Sequence, residues 1–149
     1  MQLPTWTLQS LRDALETSDP SRDGRLTLDH PELGGDATIV AYMPDILDDI
    51  PMFITVVETQ ILVEVFLWPK SAIDPTRVAA LNETLLEMQK FFPLSAFALE
   101  SDEGSDKTYA LHGALSADCS LATVLHEIET LADNALGAYE LYSEFTRAA

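Results

Sequence analysis

The sequence has 149 residues, the size of one domain with its own core, and 47% of them are hydrophobic, which is typical of globular rather than disordered chains. The net charge is −17, from 25 acidic and 8 basic residues. Because nucleic acids and anionic membrane surfaces are bound through Lys and Arg, this balance disfavours both. We predict a single domain over residues 1–149.

The chain begins with MQLPTWTLQSL, which has neither the basic start nor the long apolar run of a secretory signal peptide. No apolar stretch approaches the roughly 20 residues that span a bilayer, so we expect no membrane insertion. Cys119 is the single cysteine, which excludes an internal disulfide and suits a reducing compartment. These features predict a cytoplasmic protein.

The first predicted element is a helix after Thr7, a candidate N-cap, with Leu8, Leu11 and Leu15 at helical spacing. We expect this helix to end near Ser18-Asp19-Pro20, because Asp-Pro is a common end to a helix.

Residues 19–30, DPSRDGRLTLDH, place oxygen-bearing side chains and Gly24 where a twelve-residue EF-hand calcium loop has them. The twelfth position, however, is His30 rather than a bidentate Glu, and Pro31 with the paired glycines that follow prevents the exiting helix. We therefore interpret Asp23-Gly24 as a turn into a strand, RLTLDH.

The middle of the chain is dominated by β signals. HPELGGD is predicted to be a loop, TIVAYMP a strand, and PDILDDIP an acidic solvated segment. MFITVVETQILVEVFLW then predicts two central strands that reverse near residues 58–60.

A second helix is predicted after Asp74-Pro75, and Phe92-Pro93 closes it. SAFALES and TYALHGALS predict two further strands joined by DEGSDK, and a long helix follows from about Ser120, capped by Asp118 or Ser120. The fold class is therefore α+β: an antiparallel sheet of about five to six strands with helices packed on it, in the order α-β-β-β(-β)-α-β-β-α.

Three groups of residues are candidates for chemistry. His126 and Glu129 share a helix face, but a zinc hydrolase would need a second His where Thr130 stands. Cys119 could be a nucleophile with His112 or His126 as its base, although nothing else marks a nucleophile site. The acidic run Asp45–Asp49, joined by Glu32 and Asp36, could hold a cation or face a basic partner. A metal-dependent or thiol enzyme is accordingly the alternative hypothesis.

The strongest strands carry more large apolar side chains than one sheet face needs. Continuous apolarity in an antiparallel sheet implies that both faces are covered. Either the sheet has a two-faced core within this chain, or another subunit or a bound partner segment supplies the third layer.

QILVEVFLWP, FFPLSAFAL, HGALSA and HEIETLADNALGAYELY, with WTLQSLRDAL at the start, resemble the YjfI-like family of uncharacterised bacterial proteins over nearly the whole chain. That family implies no catalytic residues. Its genes often lie beside one for a homologue of phage-shock protein A, which implies a setting in envelope stress. The order of elements is also similar to type III secretion chaperones and YbjN-like proteins, apart from an extra early strand. Those small acidic proteins are typically dimers that bind segments of other proteins.

The resemblance and the residues together predict a non-enzymatic, chaperone-like protein-binding module without a cofactor, and a homodimer. Four aromatic residues at the end of a strand and of a helix are the predicted partner-binding residues, with core packing as the competing explanation: Phe66, Trp68, Phe91 and Phe92.

Overall fold

The computed structural model describes residues 5–29, 37–101 and 106–147. Its helices, in chain order, are α1 (Leu8–Glu16), α2 (Asp19–Arg22), α3 (Pro44–Leu47), α4 (Val78–Met88) and α5 (Leu121–Tyr142). Short 3-10 turns lie at Lys70–Ala72, Pro75–Arg77, Gln89–Phe91 and Ser143–Phe145. Within the described residues, no helix is both long enough and apolar enough to cross a membrane.

Six strands form one antiparallel sheet: β1 (Thr27–Leu28), β2 (Ile39–Tyr42), β3 (Met52–Val57), β4 (Gln60–Pro69), β5 (Ala96–Ser101) and β6 (Lys107–Ser116). Their spatial order is β1-β2-β3-β4-β6-β5. β3 and β4 are joined by a tight reversal in which Glu58 takes a positive φ of 54°. A bulge between Phe66 and Trp68 shifts the register of β4 against β6 and changes which face the side chains at the end of β4 lie on.

One face of the sheet is covered by helices. The alternate residues Ile61, Val63 and Val65 of β4 are fully buried there, as is Leu111 of the neighbouring β6. Helix α5 packs on β4 and β6, and its buried stripe includes Val124, Ile128, Leu131, Ala132, Ala135 and Ala138. The core therefore lies between this face and the helices.

We call the opposite side of the four strands β3 to β6 the open face, because most of its side chains are half-buried rather than covered. We define it by eleven of the residues that strand alternation and register place there: Phe53, Thr55, Leu62, Glu64, Phe66, Ala96, Ala98, Glu100, Ala110, His112 and Ala114.

Local sequence explains where the main helices start. The Thr7 hydroxyl accepts a hydrogen bond from the Ser10 amide, and the Ser10 hydroxyl accepts one from the Thr7 amide. These two bonds form a reciprocal cap at the start of α1. Ser120 caps α5 by accepting from the Thr123 amide. Asp74 accepts from the Thr76 amide and opens a 3-10 turn that leads into α4.

The predicted α+β class, the antiparallel sheet, the strand reversal and the helices on one face are confirmed. Two details differ from the prediction. The first helix ends at Glu16, close to the predicted stop, but Asp19-Pro20 also opens the short helix α2, which was not predicted, because Pro fits the first helical turn. PDILDDIP contains the one-turn helix α3, although Asp45, Asp48 and Asp49 are exposed as predicted.

The proposed turn at Asp23-Gly24 is confirmed: Gly24 has a φ of 84°, and β1 follows at Thr27. The predicted loop HPELGGD and most of DEGSDK lie outside the described residues, as do His30, Glu32 and Asp36.

Candidate functional site on the open face of the sheet

The open face has an apolar centre. The rings of Phe53 and Phe66, on neighbouring strands, lie 5.5 Å apart at their centroids in a tilted arrangement. Leu62 lies beside them and is half-buried, and 39% of Phe66 is exposed. Large apolar side chains on an uncovered sheet face are a common mark of a binding surface.

A cavity of about 210 Å³ adjoins this apolar centre and spans four strands. Two apolar and four polar residues line it: Phe53, Leu62, Thr55, Glu64, Glu100 and His112. The cavity is smaller than the several hundred Å³ of a typical small-molecule site, and suits one side chain of a ligand.

Two carboxyl groups share this cavity. Burial of Glu64 beneath its neighbours, a hydrogen bond with the Glu100 side chain and the negative charge of that group together raise the pKa of Glu64 to about 8. At neutral pH the Glu64 carboxyl group is therefore mostly protonated and can donate a hydrogen bond to Glu100.

A second apolar surface lies where α4 meets the edge strand β5. We call it the α4–β5 surface and define it by four exposed side chains: Leu86, Phe91, Leu94 and Leu99. Leu86 is 73% exposed and Phe91 64% exposed. A shallow groove of about 240 Å³ runs between α4 and β5 next to Leu86 and Leu99.

The four predicted partner-binding aromatics divide between surface and core. Phe66 lies on the open face and Phe91 on the α4–β5 surface. Trp68 is buried, since the bulge in β4 turns it toward the helices, where it packs edge-on against Tyr109 and Tyr139. Phe92 is also buried, with its ring 5.0 Å from that of Phe97. Their role in partner binding stays a prediction.

The groups proposed for an enzyme are not brought together. His112 lines the open-face cavity, whereas Cys119 lines a different cavity beside Trp6, whose indole donates to the Cys119 carbonyl at 2.8 Å. His126 lies on α5, and the Asp45–Asp49 run lies on and after α3. In the described part of the chain, no three His, Cys, Asp or Glu side chains are grouped as metal ligands would be.

The surroundings of Cys119 make its thiol less reactive, because they raise its pKa. Burial raises its pKa, the Asp118 charge raises it further, and only a backbone hydrogen bond acts in the other direction. A nucleophilic cysteine needs a lowered pKa, so these surroundings do not favour a thiol enzyme.

Sequence reasoning missed the carboxyl pair. Glu64 interrupts an apolar strand, ILVEVFLW, and a charged residue inside such a run is a signal that could have marked the site. Glu100 carries no comparable signal, because its approach to Glu64 depends on β6 lying between β4 and β5.

The fold is shared with several solved structures. The chain aligns over 98% of its length with 99% of YbjN, described as a putative transcription regulator from E. coli, at a TM-score of 0.66 and 14% identity. It aligns over 97% of its length with the whole of a chain in the ExsC-ExsE complex, at a TM-score of 0.57 and 13% identity. An uncharacterized protein from Methanothermobacter thermautotrophicus gives 0.60 and 13% identity, over 91% of this chain and 99% of that one. The predicted likeness to YbjN-like proteins and secretion chaperones is confirmed at the level of fold.

The sequence itself defines the family. Residues 5–146 match the family described as uncharacterized protein conserved in bacteria (DUF2170), and the chain belongs to that family. It is also 31% identical to the uncharacterized protein YjfI of Escherichia coli strain K12, over 95% of this chain and 98% of the relative. The predicted YjfI-like assignment is confirmed.

Proposed function

We propose that this chain is a non-enzymatic, chaperone-like protein-binding module whose open face holds a segment of another protein. One observation carries the proposal. β3 and β4 bury most of their side chains on one side and leave Phe53, Leu62 and Phe66 half-buried or exposed on the other. A bound segment would supply the third layer that the apolar strands call for.

The fold comparison supports the same reading. One of the solved structures that share the fold is a complex of two proteins, ExsC and ExsE. Fold alone does not fix function, so the weight of the proposal rests on the open face.

We also propose that the chain forms a homodimer through the α4–β5 surface. β5 is the last strand of the sheet and is paired only on its β6 side within the described residues. The exposed side chains of Leu86, Phe91 and Leu99 lie near this edge. A strand edge beside exposed apolar residues is a common site of self-association.

The charge of −17 favours a basic partner in the cytoplasm, where such an acidic protein stays soluble. A homologue of phage-shock protein A is the specific candidate, on the grounds of gene neighbourhood in the family. This proposal needs no cofactor.

The test is an affinity pull-down from native cytoplasm with wild-type, Phe66→Ala and Phe91→Ala baits, together with the light-scattering mass of each protein. We expect a specific protein to co-purify with wild type and to be largely lost with Phe66→Ala, because Phe66 is part of the exposed centre of the open face. Phe91→Ala should shift the mass from dimer toward monomer with little change in melting temperature, and a fall in partner recovery with this bait would support the predicted role of Phe91 in partner binding.

Trp68→Ala is the matched control for loss of an aromatic side chain. Because Trp68 is buried, this variant should lose about 3–5 kcal/mol of stability, and its effect on binding would follow from unfolding. Equal recovery of the partner by wild type and a folded Phe66→Ala bait would contradict the proposed role of the open face.

A further inference from the structure

Among the described residues, no Lys or Arg side chain forms an ion pair with the carboxyl groups on the open face. Among the eleven residues that define this face, Glu64, Glu100 and His112 are the titratable ones, and none is Lys or Arg. β3 contributes only Phe53 and Thr55 to the cavity. The ion pairs found in the described residues are Arg12–Glu16 and Arg25–Asp23, both away from this face. Because buried charges in proteins are normally paired with opposite ones, a cation supplied from outside the chain is the group that would complement this acidic cavity.

The shape and chemistry of the cavity select among cations. Glu64, Glu100 and His112 are not grouped as metal ligands are, which disfavours a divalent ion. An organic cation fits better, because one wall is the aromatic ring of Phe53 and another is Leu62. A guanidinium group stacks on an aromatic ring and donates hydrogen bonds in a planar fork that can serve two carboxylates at once.

We propose that the open-face cavity binds the side chain of an arginine carried by the partner segment, with its guanidinium group between the Phe53 ring and the carboxyl groups of Glu64 and Glu100. The apolar residues around the cavity, with Phe66 foremost, then contact apolar side chains that flank this arginine. The inference rests on the proposed function and specifies the chemistry of the partner: a short basic and apolar segment that complements an acidic protein.

Arginine binding is coupled to a proton. Burial and the Glu100 neighbour keep the Glu64 carboxyl protonated at neutral pH, since they raise its pKa to about 8. An arriving guanidinium group stabilises both carboxylates, so this proton leaves for solvent as the arginine enters. Binding should therefore be stronger above that pKa than well below it.

The experiment is an NMR titration of the full chain with an acetylated, amidated tripeptide that has arginine between two leucines. The readout is the carboxyl carbon shift of Glu64 together with the backbone amides of β4 and β5. The matched peptides replace arginine with citrulline, which has nearly the same shape without the charge, or with lysine. We expect the arginine peptide to bind at least about tenfold more tightly than the citrulline peptide, with the lysine peptide between them.

Two isosteric variants localise the effect. Glu64→Gln and Glu100→Gln should each remove most of the preference for arginine over citrulline. Neither should unfold the chain, because the Gln amide has nearly the shape of a protonated carboxyl group and can keep a hydrogen bond between the two positions. Glu87→Gln on the exposed side of α4 makes the same chemical change away from the cavity and should leave the preference unchanged.

Equal binding of the arginine and citrulline peptides would overturn the assignment, and so would unchanged preference in both Gln variants. Equal binding of the lysine peptide would also overturn it, since the cavity would then accept any cation.

The peptide result and the pull-down separate the two proposals. If Phe66→Ala loses the partner while the wild-type chain shows no arginine preference, the binding function stands and the arginine site falls. If the arginine preference is found but Phe66→Ala retains the partner, the arginine site stands and the proposed role of the open face in partner binding falls.

Discussion

Each face of the central strands is associated with one glutamate in unusual surroundings, and the two sites differ in what can reach the carboxyl group. On the covered face, Glu127 of α5 is 2% exposed and lies directly over Gly113 of β6. Its Oε1 has no hydrogen-bond partner among the described residues. On the open face, Glu64 lines a cavity together with Glu100.

Burial raises the pKa of both carboxyl groups. For Glu127 burial acts against the charge of His126, which lowers the pKa; for Glu64 burial is reinforced by Glu100. Burial alone therefore does not identify a binding site. Glu127 is sealed between a helix and the sheet, which suits a structural role, whereas Glu64 lies where a partner can enter, and only there does a shifted pKa support a functional proposal.

The largest expected difference between the two faces is in packing energy. Leu111→Ala on β6 should cost about 2–5 kcal/mol, because Leu111 is fully buried under the helices. Leu62→Ala on the neighbouring strand β4 makes the same chemical change on the open face and should cost about 1 kcal/mol, since the side chain is only half-buried. Urea denaturation of both variants measures this contrast. Equal losses would mean that the open face is part of a covered core.

A smaller effect is expected from the glycine under Glu127. A Cβ on Gly113 would overlap the Glu127 carboxyl group and lie 3.1 Å from the Leu94 carbonyl oxygen, so Gly113→Ala should cost about 1–3 kcal/mol. Adding Glu127→Ala should recover part of this loss, because it removes the group that the new methyl meets.

Gly137→Ala on α5 is the control for loss of a glycine. The nearest atom to its added Cβ is 3.8 Å away, and alanine favours a helix, so this variant should gain up to about 1 kcal/mol. If a double-mutant cycle gives no coupling free energy between Gly113→Ala and Glu127→Ala, the Glu127 side chain can move away from the added methyl group, which would contradict the predicted overlap.

The last expected effect is on the pH dependence of the stability. A carboxyl group with a raised pKa contributes stability that is fully present below its ordinary value of 4.5 and is lost as pH rises through its folded value. For Glu64 this window runs from 4.5 to about 8, and Glu127 contributes in the same direction. Glu64→Gln and Glu127→Gln should each flatten the fall in the unfolding midpoint across that range. A wild-type midpoint that rises over the same range would contradict both shifts.

Local sequence determined the elements and their alternation. Thr7 and Ser120 cap the first and last helices, the reversal between β3 and β4 falls at residues 58–60, and alternating apolar residues define the covered face of each strand. These features follow from residues near one another in the chain, whose capping, turn and period-two preferences are local.

Only the tertiary structure decided which residues form the candidate site. Trp68 and Phe92 are as apolar as Phe66 and Phe91, but a bulge and the packing of Phe97 bury the first pair and leave the second exposed. The meeting of Glu64 with Glu100 likewise depends on β6 entering the sheet between their strands. Strand order and burial are set by long-range packing of the whole core, which no short stretch of sequence encodes.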